Sequence, residues 1–286
     1  MKTSYSLAIA AALGMLAMMP AGAQTLTHRY SFTNGAADSV GTANGTVNGG
    51  VTFAGGVASF PGGTSAAPVD ITLPTTVVSG LTNATLEFYT TSFTGTTNYE
   101  ALFAEANSYG TGGGAEPDYT VLCANRAFDP GIGSGARTNG GTEDHNIYTG
   151  TNLGSGVNLV TVVYSGFVDA TSNGTETIYV NGVQATTGAT PYSFLNVANA
   201  TNAASLPLTV GIGGGSPYND PNYQGGMSDV RIWSGAFTPA QVLADYNAGP
   251  DVLGVAAPEP SQLIGLAMGA LSVGSLALKA RRRLAA

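Results

Sequence analysis

The stretch Ser216-Pro217-Tyr218-Asn219-Asp220-Pro221-Asn222-Tyr223 gathers the side chains that sugar recognition uses. Tyr218 and Tyr223 offer faces on which a sugar ring stacks, while Asn219, Asp220 and Asn222 offer amide and carboxylate groups for its hydroxyls. The same composition also suits a plain loop between two strands. Cleaving a glycosidic bond asks for more, namely two carboxylates about 5 to 9.5 Å apart across the scissile bond. Glu87 stands alone in Leu86-Glu87-Phe88, and Glu100 and Glu105, five residues apart, are expected on opposite faces of a strand. Glu143-Asp144-His145 is the densest ionisable cluster, but Gly140-Gly141-Thr142 before it indicates a solvated loop. No G-x-S-x-G elbow occurs, and His28 and His145 lie in unlike contexts. Binding without catalysis is the expectation.

The two ends of the 286-residue chain read as addresses rather than as fold. Lys2, an apolar run from Leu7 to Met19 and Ala21-Gly22-Ala23 have the order of a secretory signal cleaved after Ala23. At the other end a Pro258-Glu259-Pro260 turn leads into an uncharged apolar run from Leu263 to Leu278, closed by Lys279, Arg281, Arg282 and Arg283. A run of about 16 to 18 residues is just long enough for a membrane helix, and the basic cluster would be retained on the cytoplasmic side. This tail resembles the PEP-CTERM sorting signal of Gram-negative bacteria. The resemblance implies an inner-membrane-anchored precursor, cleavage near the PEP motif by an exosortase-type membrane protease, and release to the cell surface or an exopolysaccharide matrix.

Between these ends the body carries sixteen acidic residues, no lysine and only Arg29, Arg126, Arg137 and Arg231. Nucleic-acid binding needs a basic stripe that is missing here. Neutral sugars, or acidic polymers bridged by cations, are the compatible glycan partners. The single Cys123, between Leu122 and Ala124, is expected to be a buried thiol.

Which elements hold these residues follows from period-two patterning broken by glycine-rich turns. Strands are predicted at Leu26–Phe32, Val51–Phe53, Val57–Phe60, Thr85–Phe93, Tyr99–Glu105, Tyr119–Cys123, Asn158–Tyr164, Thr175–Val180, Leu208–Ile212 and Met227–Trp233. Asn181-Gly182 predicts a type I′ hairpin. Thr238 and Pro239 predict a helix through Tyr246 that stops at Gly249-Pro250. No strand pairing is assigned between Asn107 and Gly156.

The order of these elements resembles the laminin G-like, concanavalin A-like jelly roll. It rests on His28-Arg29-Tyr30-Ser31-Phe32, the Val160–Tyr164 strand, Gly211-Ile212-Gly213-Gly214, and Gly225-Gly226-Met227-Ser228-Asp229-Val230-Arg231-Ile232-Trp233. The expected fold class is thus an all-β sandwich over 24–253, between a signal peptide at 1–23 and the sorting tail at 254–286. The resemblance also implies a structural calcium ion (Ca2+) held by Asp229 of the last strand, with Asp38 and Asn34 of the first loop as further oxygen ligands. Asp169 to Glu176 mimics the start of a calcium loop, but Val180 stands where its last glutamate belongs. An exported carbohydrate-binding or adhesive protein is the leading reading. A secreted polysaccharide hydrolase or lyase with dispersed carboxylates, and a structural module that binds another protein, are the alternatives.

Overall fold

Alternating apolar positions resolve into fifteen strands, two α-helices and one 3-10 turn (Thr75–Val77) among the residues described by the computed structural model, which are 24–253 less 65–66, 96–98, 108–118, 125–130, 139–144, 155, 200–207 and 216–219. In chain order the strands are β1 (Thr25–Tyr30), β2 (Thr46–Val47), β3 (Thr52–Ala54), β4 (Val57–Thr64), β5 (Ile71–Leu73), β6 (Ala84–Phe93), β7 (Glu100–Ala106) and β8 (Tyr119–Ala124). They continue with β9 (Gly133–Arg137), β10 (His145–Tyr148), β11 (Asn158–Ser165), β12 (Gly174–Val180), β13 (Val183–Thr190), β14 (Thr209–Ile212) and β15 (Pro221–Ser234). The helices are α1 (Phe194–Asn199) and α2 (Pro239–Ala248).

Among the described residues, hydrogen bonds give two sheets, which meet where Asn222 of β15 pairs with Ala101 of β7. The first runs β13-β12-β11-β6-β15, with β1 and β4 sharing the far side of β15 and β3 pairing with β4. The second runs β10-β9-β8-β7-β14-β5-β2. Leu86, Phe88, Val160, Val162, Ile178, Val230 and Ile232 face Ile71, Leu73, Phe103, Leu122, Val210 and Ile212 across a continuous core. Each such side chain contributes roughly 1.5 to 3 kcal/mol by leaving water. α1 inserts Phe194 into this core, 4.9 Å from the ring of Tyr164.

The expected strands all form. At the hairpin, Asn181 (φ 52°) and Gly182 (φ 77°) turn between the paired residues Val180 and Val183. Only residues tolerant of the left-handed region fit both positions. α2 starts where expected: Thr238 accepts from the Gln241 N–H while the Gln241 side chain accepts from the Thr238 N–H, and Gly249 ends the helix at φ 81°. The helix closes the outer face of the first sheet, packing Val242 with Val163, Tyr179, Trp233 and Phe237. Cys123 is buried.

Two findings depart from expectation. β9 and β10 form within the segment left unassigned, where the inward positions of β9 carry only Ser134 and Ala136 and so show little apolar signal. The register of β7 also slips between Ala101 and Phe103, placing both Leu102 and Phe103 in the core. The slip reverses side-chain parity, so Glu100 and Glu105 both lie opposite the outward Ala101, Ala104 and Ala106 rather than on opposite faces. Ala23, Pro258, Glu259, Pro260, Arg281, Arg282 and Arg283 fall outside the described residues, and among those described no helix is long and apolar enough to cross a membrane.

Candidate functional site

Of the residues assigned to calcium, Asp229 and Asp38 both bond to Arg29, and both are engaged otherwise. Asp229 on β15 accepts from Arg29 Nη2 at 2.9 Å, from Arg29 Nε at 3.1 Å and from Arg231 Nε at 3.0 Å. A divalent cation there would face two guanidinium groups. Asp38 is similarly taken: one oxygen meets His28 Nδ1 at 2.7 Å, and the carboxylate accepts the N–H groups of Arg29, Val40, Gly41 and Ala43. Burial pushes its carboxyl up, but these donors outweigh it and bring the pKa down to about 2. Asn34 lies in an exposed turn. The donor set at Asp229, Asp38 and Asn34 therefore does not fit the implied ion, and ion pairs and N–H donors occupy the oxygens instead.

The sugar-binding stretch is also redistributed. Tyr218 and Asn219 lie outside the described residues, and Asp220 is half-buried just before β15. Tyr223 is a core residue, stacked on Phe93 at 5.7 Å with its hydroxyl donating to Ser92 O at 2.7 Å, so it offers no face to a ligand. Asn222 is buried too, its amide donating to Thr64 O at 3.0 Å. The cause is strand β15, which starts at Pro221 rather than at Met227 and draws both residues into the sandwich.

A small concavity that carries several polar side chains lies on the outer face of the second sheet. Ile71 of β5 and Val210 and Ile212 of β14 point into the core, so Asp70, Thr72, Thr209 and Gly211 point out. Together with Asn48, Pro68 and Gly215 they line a pocket of about 130 Å³. Asn48 reaches it through a turn at Gly49 (φ 62°), where a Cβ would stand 2.0 Å from Pro68 O. The Asn48 amide donates to Asp70 Oδ1 at 2.6 Å and contacts Thr72 Oγ1 at 2.8 Å, which fixes carboxylate, amide and hydroxyl relative to one another. No aromatic side chain lines this pocket among the described residues. Sequence reading missed it because Asn48, Asp70 and Thr209 come from three distant segments, each of ordinary turn or strand composition.

None of the candidate glutamates opens onto this pocket. Glu87 lies under α2, where its Oε2 accepts from Trp233 Nε1 at 2.9 Å and Arg231 Nη1 is 3.8 Å away. Glu100 Oε2 accepts the Gln224 N–H at 3.1 Å, and Glu105 is buried between the sheets.

Comparisons with known proteins agree on the architecture. Domain 4 of a GH43 extracellular arabinanase from Geobacillus stearothermophilus, solved with arabinotriose, superposes with a TM-score of 0.51 at 20% identity, covering 77% of this chain and 98% of that domain. A Trypanosoma rangeli sialidase solved with sialic acid gives a TM-score of 0.52 at 13% identity over 80% of this chain, which spans 34% of that enzyme. A search of curated protein sequences finds no match. The profile of the concanavalin A-like lectin/glucanases superfamily matches residues 62–243. That span is more than half of the 286 residues and takes in most strands of both sheets, so the chain belongs to the concanavalin A-like lectin/glucanases superfamily.

Proposed function

We propose that the protein is an exported glycan-binding protein of a cell surface or exopolysaccharide matrix that holds its ligand without cleaving it. The observation that carries this reading is the outer-face pocket of Asn48, Asp70, Thr72 and Thr209, in which acceptors and donors suited to sugar hydroxyls are set in one concavity. The arabinotriose bound by the arabinanase domain of similar fold is a ligand of the same class. The excess of sixteen acidic residues over four arginines in the body favours neutral oligosaccharides. Asp70 is the only carboxylate among the pocket residues, so a second acid for bond cleavage is lacking there among the described residues. On a glycan array, binding to neutral oligosaccharides is expected. Asp70→Asn should weaken it about ten- to a hundredfold, the loss of a charged acceptor, in protein that thermal melting shows to be folded. Unchanged affinity in that variant would move the ligand elsewhere.

Delivery rests on the two ends of the chain: a signal cleaved after Ala23, then membrane retention through the apolar run and Arg281, Arg282 and Arg283 until an exosortase-type protease cuts near Pro258-Glu259-Pro260. Changing those three residues to alanine is expected to leave export intact and to block tail removal. Mass spectrometry of the exported form decides this, and trimming identical to wild type would leave a simple membrane anchor as the account.

A further inference from the structure

Between the two sheets, polar side chains from five strands share one part of the interior. Glu105 of β7 lies opposite Thr120 of β8, and Ser134 of β9 lies opposite Leu122 on the same inward face. All three residues are buried, and neither Glu105 oxygen has a hydrogen-bond partner, nor does the hydroxyl of Thr120, while the Ser134 side chain reaches the Tyr164 phenol of the facing sheet. From the facing sheet come Tyr164 of β11 and Glu176 of β12, paired in register, with the Tyr164 hydroxyl donating to Glu176 Oε1 at 2.9 Å. Burial first, and then the Glu176 carboxylate, push the Tyr164 phenol well above its ordinary range, with Ser134 and Glu105 also acting on it. One phenol thus senses carboxylates from both sheets.

No described arginine faces Glu105. Arg29 and Arg231 lie on the outer face of the first sheet around Asp229, and Arg137 is paired with Tyr119, whose ring belongs to the outward cluster of the second. A carboxyl sealed in the interior with an unmet hydroxyl beside it is costly unless something joins them.

We infer that this cluster is a site for a hard divalent cation, held between the sheets by the carboxylates of Glu105 and Glu176 and the hydroxyls of Thr120 and Ser134. Every donor is oxygen, which selects against the nitrogen- and sulfur-seeking transition metals. Two carboxylates match a double positive charge. Donors spread over both sheets suit calcium, which tolerates irregular geometry, better than magnesium, which demands a near-octahedral shell and keeps its waters. The site is independent of the glycan reading and shares no residue with the Asp229 and Asp38 pairs.

The test compares wild type and Glu105→Gln, each stripped with chelator and then supplied with millimolar calcium or magnesium, by thermal melting and by elemental analysis of bound metal. Calcium is expected to raise the wild-type melting temperature by several degrees, with one ion bound per chain. Glu105→Gln should melt above wild type in the stripped protein, because it removes a partnerless carboxyl, and below it in calcium. That inversion is the signature of a ligand role. Thr120→Val and Ser134→Ala, which keep the packing, should each reduce the calcium response, and they carry the test if Glu105→Gln fails to fold. If no ion binds and Glu105→Gln is stabilising in both conditions, Glu105 is a buried neutral acid and the inference falls. It falls equally if calcium binds but none of the three variants alters the response.

Discussion

Replacing Arg231 by methionine is expected to cost about 3 to 5 kcal/mol of stability, the range for breaking a buried ion pair by removing one partner. The side chain is fully buried beneath α2, with Nε donating to Asp229 Oδ2 at 3.0 Å and Nη2 donating to Val252 O at 3.0 Å. Its guanidinium carbon lies 5.0 Å from the centre of the Tyr89 ring, and Glu87 Oε2 is 3.8 Å from Nη1. Methionine fills much of the volume but leaves Glu87 without its positive neighbour and Asp229 with Arg29 alone. A fall in the denaturant midpoint at unchanged slope reports the loss. Adding Glu87→Gln should recover part of it, since one stranded carboxyl disappears. A cost under about 1 kcal/mol for Arg231→Met would mean that the network contributes packing alone.

The second large effect is on pH dependence. Burial, reinforced by the adjacent Asp245 carboxyl, pushes Glu87 from 4.5 up to about 8 despite the opposing pull of Arg231. The folded protein therefore holds a proton that the unfolded chain releases. The associated stability is fully present below the unfolded value of 4.5 and is lost as pH rises through about 8. The slope in that window approaches ~1.4 kcal/mol per pH unit. Asp38 acts in the opposite sense: its pKa near 2 makes its contribution present above 3.8 and lost as pH falls through 2. Stability is expected to peak near pH 4 and to decline towards neutrality, followed by chemical unfolding at a series of pH values. Glu87→Gln should flatten the decline. A flat profile between the two limits in wild type would exclude a proton on Glu87.

The strands were legible because inward positions such as Leu86, Phe88, Val230 and Ile232 alternate, and because Gly, Asn and Pro punctuate the turns. Alternation does not say what covers the other face. Glu87, Tyr89 and Arg231 alternate with those inward positions, yet α2 buries all three, Arg231 staying charged against Asp229 and Glu87 keeping its proton. The slip at Leu102 was invisible in the same way, since nothing in Glu-Ala-Leu-Phe-Ala-Glu marks an extra residue, and it alone decides which face Glu105 takes. Tyr223 misled for a physical reason: an aromatic with a polar tip suits a sugar platform or a core equally, and only the early start of β15 selects the core. The outer-face pocket was out of reach because its polar side chains converge only once β5 and β14 lie side by side.

The pairing of β1 with β15 joins residues about 200 positions apart, with Arg29 reaching Asp229 and the Gln24 amide reaching Ala236 O at 2.9 Å. The opening strand thus has to wait for nearly the whole body before it finds its neighbour. Such a topology has high contact order, and its late loop closure predicts slow, cooperative folding rather than stepwise accretion from the N-terminus during synthesis. A chain that closes on its final strand remains extensible, and open to proteolysis, until that strand has been made.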